Sequence, residues 1–168
     1  MSVPRPTRVE IDLAALQQNF QEIQRTVGSD CDVLAVVKAD AYGHGANRVA
    51  STLAGAGAVL FGVALIEEGV ALRRSGIEQP ILVLGGVFPG QESDVLDCQL
   101  TPALYALDSA RRLARAASAS GQTIEYHLKV DTGMGRLGFR AEQLEEVLPI
   151  LKDLPGLHMA GFMSHLAV

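Results

Sequence analysis

The sequence predicts an α/β chain built on a mostly parallel sheet. Three observations carry this. Apolar runs of strand length recur along the 168 residues. Most are followed by a stretch in which apolar residues return at helical spacing. The polar residues able to carry chemistry cluster just past the ends of the apolar runs, as in parallel α/β proteins.

The elements follow in order. Leu13, Leu16, Phe20, Ile23 and Val27 recur at spacings of three and four behind Asp12, an N-cap type, and predict an amphipathic helix. Val33-Leu34-Ala35-Val36-Val37 is an apolar run rich in β-branched residues that stops at Lys38, and it suits a strand buried on both faces. Helix over 46–56, strand over 59–63, helix over 66–75 and strand over 81–84 come next. A weaker helix over 91–97 and a short strand over 101–104 follow. Asp108 is placed to cap a helix running to about residue 119, and 124–130 is the next strand. Leu144, Val147, Leu148 and Leu151 mark a helix that Pro149 is expected to break, and 157–164 is the last strand.

Two architectures fit, a doubly wound sheet or a (β/α) barrel of the TIM type. A closed barrel needs eight strands, and about six are counted here. A barrel reading is therefore that of an incomplete one, residues 1–168 forming its amino-terminal part. Its first and last strands are left as parallel edges, so the chain is read as a fragment.

Composition narrows the function classes. Hydrophobic residues make up 48% and charged residues 20%, as in a soluble globular chain. The formal charge is −5 and the basic residues are scattered, which argues against a nucleic-acid face. Cys31 and Cys98 are far apart and fit no metal spacing, so a reducing compartment is expected and both are read as packing residues. No apolar stretch approaches the ~18 residues of a membrane span, and no signal core follows Met1. The expected location is the cytoplasm.

Lys38 ends the first strand, Lys129 and Asp131 the fifth, and His165 the sixth. Both architectures gather ligands at the carboxyl ends of strands. A cleft holding two lysines, an aspartate and a histidine is expected. Burial disfavours the charged form of a lysine, and a neutral amine can attack a carbonyl to form a Schiff base. The plain alternative for Lys38 is a strand-end lysine reaching to water. Gly43 and Gly45 permit tight backbone near a ligand, and Tyr42 between them and Lys38 could bond a phosphate. No Gly-Lys-Ser/Thr is present, so this is not a Walker-type loop. Taken alone, Arg136 reads as a solvated loop residue, Lys129 as an outward strand residue and His165 as a core histidine. His44, His127 and His158 are read as structural.

At this point four segments resemble one family. Val37-Lys38-Ala39-Asp40-Ala41-Tyr42-Gly43-His44-Gly45 is similar to the attachment signature for pyridoxal 5'-phosphate (PLP) in alanine racemases. Arg5-Pro6-Thr7 with Glu10-Ile11-Asp12-Leu13 resembles the family's opening. Residues 128–138, Leu-Lys-Val-Asp-Thr-Gly-Met-Gly-Arg-Leu-Gly, resemble a second signature, and Met163-Ser164-His165-Leu166 a third. The resemblance covers the chain but about half of a family member.

The resemblance implies a (β/α)₈ barrel followed by a β-rich domain, in a homodimer acting on alanine and supplying D-alanine for peptidoglycan. It implies that Lys38 holds PLP covalently and moves the α-proton on the D-isomer's face. Tyr42 would contact the phosphate. Arg136 would bind the substrate carboxylate and the phenolic oxygen. Lys129 would be the lysine often carbamylated in this family, and His165 would support the cofactor ring. The family's opposite-face tyrosine, its arginine for the PLP ring nitrogen and its later phosphate-binding groups are not in the sequence, so the isolated chain is expected to be inactive or nearly so. Competing readings are a non-catalytic barrel of PLP homeostasis, a barrel decarboxylase, and a racemase of another small amino acid such as serine.

Overall fold

The structure is a computed structural model that describes residues 7–167. Arg5 and Pro6 of the opening motif lie outside the described residues. Helix α1 (Leu13–Val27) starts where Asp12 accepts hydrogen bonds from the Ala14 and Ala15 N–H groups at 2.9 and 3.0 Å, and it buries Phe20 against the sheet. The chain then alternates β1 (Leu34–Val36), α2 (Ala46–Gly55), β2 (Leu60–Val63), α3 (Ile66–Arg74), β3 (Ile81–Val83), α4 (Glu92–Asp97), β4 (Thr101–Leu104), α5 (Leu107–Ser120) and β5 (Ile124–Asp131). A two-residue β6 (Phe139–Arg140), a 3-10 turn, α6 (Leu144–Lys152) and β7 (Leu157–Met163) complete it.

All strand pairs are parallel, in the order β1-β2-β3-β4-β5, with β7 continuing the sheet beside β5 and β6 attached to the carboxyl end of β5. Among the described residues six strands carry the wall, and the seventh, β6, is a short addition on the loop after β5. The arrangement is an α/β barrel wall left open between β7 and β1.

Period two sorts the side chains of each strand. Ala35, Phe61, Val63, Ile81, Val83, Tyr126 and Leu128 are buried beneath the helices. The alternate set faces the lumen, where Val36 pairs with Gly62, Gly62 with Leu82, and Ala103 with His127. A Cβ on Gly62 would stand 2.7 Å from the Leu34 side chain and 3.6 Å from that of Leu84, so the glycine makes room for both leucines. The β5–β7 register slips by one residue between Tyr126 and His127, leaving Ala160 as the extra residue of a bulge.

Three details differ from the sequence reading. Asp108 lies inside the first turn of α5 and pairs with Arg112; Ala106 occupies the cap position. Helix α6 runs unbroken through Pro149. The ring is on the solvent face, so the helix carbonyl that loses its donor meets water, while Val147 and Leu151 anchor the buried face. Cys31 is exposed rather than packed; Cys98 is half-buried against the core.

Candidate functional site

At the carboxyl ends of the strands the lumen opens into a cavity of about 550 Å³. Lys38, Tyr42, Lys129, Arg136 and His165 all line it, so five residues from three separate stretches of sequence meet at one mouth. Leu82 and Leu84 supply apolar wall beside them, and His127 stands with them on the lumen face of β5. Among the described residues, no aspartate or glutamate lines it. Asp131, expected in the cleft, is absent from the lining.

Asp131 has another task. Its Oδ1 accepts the N–H groups of Gly133 and Gly135, both at 3.0 Å, and these bonds hold its carboxyl below the usual aspartate value. The carboxylate thus folds residues 132–138 over the end of β5 and carries Arg136 to the cavity. Gly138 lets the loop return: with φ +137° it lies so close to the strand that a Cβ would stand 2.4 Å from the Asp131 nitrogen. Ser164 ties the same loop to β7, sharing a 2.6 Å hydrogen bond with Thr132 and donating to the Val130 carbonyl at 2.9 Å.

The two lysines sit in different surroundings. Lys38 is half-buried at the rim. Lys129 is the desolvated one, 5% exposed. Burial lowers its pKa, the positive charge of Arg136 lowers it further, and Asp131 partly opposes them. Taken alone, the sequence left Lys38 between a desolvated amine and a strand-end lysine reaching to water, and it read Lys129 as an outward strand residue. The structure turns Lys129 inward because it shares the parity of His127. Burial also lowers the pKa of His127, against a smaller opposing effect of Glu125.

The segment after Lys38 is unusual. Residues 39–42 have φ between +51° and +56° and form a left-handed turn inside the segment Lys38–Gly43. Four consecutive non-glycine residues in this region store on the order of 4–8 kcal/mol. Such strain persists only where the surroundings over-determine it. Ala39 donates to Glu68 at 2.6 Å, Ala46 donates to Asp40 Oδ1 at 2.6 Å, and the His44 ring reaches the Ala41 carbonyl at 2.9 Å. The turn folds Tyr42 back, placing its ring centroid 5.9 Å from Lys38 Nζ.

Sequence reasoning missed two residues here. Two positions before Lys129 is His127, so strand alternation alone was enough to put it on the lumen face. Glu68 carries no such signal, because its partner Ala39 lies 29 residues away.

Comparison with known proteins agrees with this arrangement. The family model described as "Alanine racemase, N-terminal domain" matches residues 11–168. An alanine racemase of Geobacter sulfurreducens is 47% identical over 163 residues, covering 97% of this chain and 43% of the relative. Among solved structures, an alanine racemase of Bacillus anthracis with bound L-Ala-P superposes with a TM-score of 0.89 at 34% identity, over 99% of this chain and 43% of that one. An alanine racemase of Bartonella henselae with covalently bound pyridoxal phosphate gives a TM-score of 0.84 at 29% identity, over 94% of this chain and 46% of that one. The chain thus spans less than half the length of these relatives. With its fold, its cavity and these matches in agreement, the chain belongs to the family of alanine racemase amino-terminal domains.

Proposed function

We propose that residues 1–168 form the amino-terminal part of the PLP-binding barrel domain of a cytoplasmic racemase that interconverts L-alanine and D-alanine. In this reading the whole protein is a homodimer and its D-alanine serves peptidoglycan. One observation supports it above the others: a cavity lined by the basic side chains of Lys38, Lys129 and Arg136, with His165 and apolar leucines beside them and, among the described residues, no carboxylate. Such a mouth suits a flat ring bearing a phosphate and a phenolate, and its size lies within the range of small-molecule sites.

PLP, when bound, supplies an electron sink for the pair left at the substrate α-carbon. The chain's own residues do the rest. Lys38 Nζ would hold the cofactor covalently and would carry the α-proton on the face used by the D-isomer. Tyr42 Oη would hold the phosphate. Arg136 would present a planar fork to the substrate carboxylate and the phenolic oxygen. His165 would support the cofactor ring. Lys129 is suited to react with carbon dioxide because its surroundings favour the neutral amine. Its nitrogen attacks the carbon, a C–N bond forms, and one N–H proton leaves to water. The carbamate is an anion, so a repulsion between Lys129 and Arg136 becomes an ion pair.

The test is reductive trapping. Purified protein is mixed with PLP and borohydride, and the modified peptide is located by mass spectrometry. Label at Lys38, lost in Lys38→Ala, is expected. Label confined to another lysine overturns the assignment. The chain spans 43% of the length of its Geobacter sulfurreducens relative, and on this reading the isolated 168 residues with PLP and L-alanine are expected to yield little D-alanine. Turnover equal to that of a whole racemase overturns that part.

A further inference from the structure

Glu68, the third residue of α3, joins the carboxyl ends of two neighbouring strands through one carboxylate. Oε2 accepts from the Ala64 and Leu65 N–H groups at 2.7 and 3.0 Å, which is ordinary behaviour for an acid at the start of a helix. Oε1 does something else. It crosses to the preceding β/α unit and accepts the Ala39 N–H at 2.6 Å. Ala39 directly follows Lys38 and opens the left-handed turn. An ionised carboxylate offers acceptors on both oxygens and can satisfy all three donors. Glu68 itself does not line the cavity.

We infer that Glu68 is a positioning residue, whose carboxylate pins the Ala39 N–H, holds residues 39–42 left-handed and so sets Lys38 and Tyr42 side by side at the cavity. The inference rests on the reading of Lys38 as the PLP lysine. Two features support it. The turn is strained at every one of its four central residues, so it needs external anchors. Main-chain bonds hold the turn from within, Ala41 donating to the Val37 carbonyl at 2.9 Å and Gly45 to the Asp40 carbonyl at 2.9 Å, and the Asp40 and His44 side chains add to them, whereas Glu68 reaches its first residue from a neighbouring β/α unit. Without the anchor at Ala39, the backbone after Lys38 is free to relax toward negative φ, which moves Tyr42 away from the amine.

The test uses purified protein, with PLP linkage followed by absorbance and thermal unfolding measured in parallel. Glu68→Gln places an amide NH₂ where one carboxylate oxygen accepted, and it removes the charge. The expected result is about a tenfold to hundredfold weaker PLP linkage, the range for losing a hydrogen bond to a charged group. Adding Ala39→Gly and Ala41→Gly to Glu68→Gln is expected to restore most of that loss, because glycine adopts positive φ without steric penalty. A plain helix-capping role would leave PLP linkage insensitive to those glycines. Wild-type affinity in Glu68→Gln overturns the inference, as does a glycine pair that recovers thermal stability without recovering PLP linkage. If Glu68→Gln alone does not fold, the triple variant is compared with the glycine pair in the wild-type background. Equal linkage within a few-fold is expected, and a gap above about tenfold overturns the inference. Absence of linkage at Lys38 in the wild type overturns the reading of Lys38 itself and is distinguishable from all of these results.

Discussion

Replacing Gly138 by alanine tests whether the loop carrying Arg136 is held by steric necessity. The glycine has φ +137°, and a Cβ there would stand 2.4 Å from the Asp131 nitrogen, 2.7 Å from the Val130 carbonyl carbon and 3.0 Å from the Asp131 Cα. All three atoms belong to the main chain of β5, which β4 and β7 hold from both sides. The backbone conformation alone costs about 1–3 kcal/mol for a residue with a side chain. The forced contact adds about 1–3 kcal/mol, the usual range for overpacking. The sum, about 2–6 kcal/mol, is a large share of the 5–15 kcal/mol that stabilises a typical domain. At about 2–4 °C per kcal/mol for a chain of this size, Tm is expected to fall by roughly 5–20 °C. Gly135→Ala is the control within the same loop. Its φ is +68° and nothing lies within 4 Å of the added Cβ, so only about 1–2 kcal/mol is expected, a fall of roughly 2–8 °C. Thermal unfolding followed by circular dichroism measures both. Equal shifts for the two variants refute the steric argument, and so does a Gly138→Ala shift below about 3 °C.

Two pH effects follow from the groups facing the lumen. Lys129 has a lowered pKa in the folded protein, so its burdened charged form destabilises the fold below that value and the penalty fades as pH rises toward the ordinary lysine value. Lys129→Met is therefore expected to raise Tm at the acid end of that window, with an advantage that shrinks in alkaline buffer; a constant advantage across pH refutes this. His127 also has a lowered pKa, so the unfolded chain binds its proton first and stability declines as pH falls below the usual histidine value of about 6.5. His127→Phe is expected to flatten that part of the stability curve, and an unchanged slope in urea titrations between these values counts against it.

Much of the fold was legible because its signals are local. Asp12 behaves as an N-cap because its carboxylate is the nearest acceptor for the first free helix N–H groups, and the apolar spacing of Leu13 to Val27 shows the buried stripe. Three of the five clustered residues were legible for a different reason: strand ends in a parallel sheet share one side of the molecule, so Lys38, Lys129 and His165 had to meet once the strands were found, whereas Arg136 was marked by the family resemblance alone. What escaped was set by tertiary contacts. No propensity marks Ala39, Asp40, Ala41 and Tyr42 as left-handed, since three of the four are not residues that favour that region. Pro149 signals a break, yet its exposed face makes the lost hydrogen bond cheap. Asp131 was expected in the cleft because it ends a strand, but two glycine N–H groups in the following loop claim its carboxylate.

The single unmatched residue in β7 reaches further than its size suggests. Up to Met159 the strand keeps step with β5, and beyond Ala160 it resumes with Gly161 beside His127 and Met163 beside Lys129. Counting on by two from Met163 points His165 inward. Had Ala160 instead paired in step with His127, Phe162 would neighbour Lys129, Ser164 would take the inward place and the imidazole would be turned outward. One alanine, doing nothing chemical itself, decides which of two adjacent side chains the cavity receives.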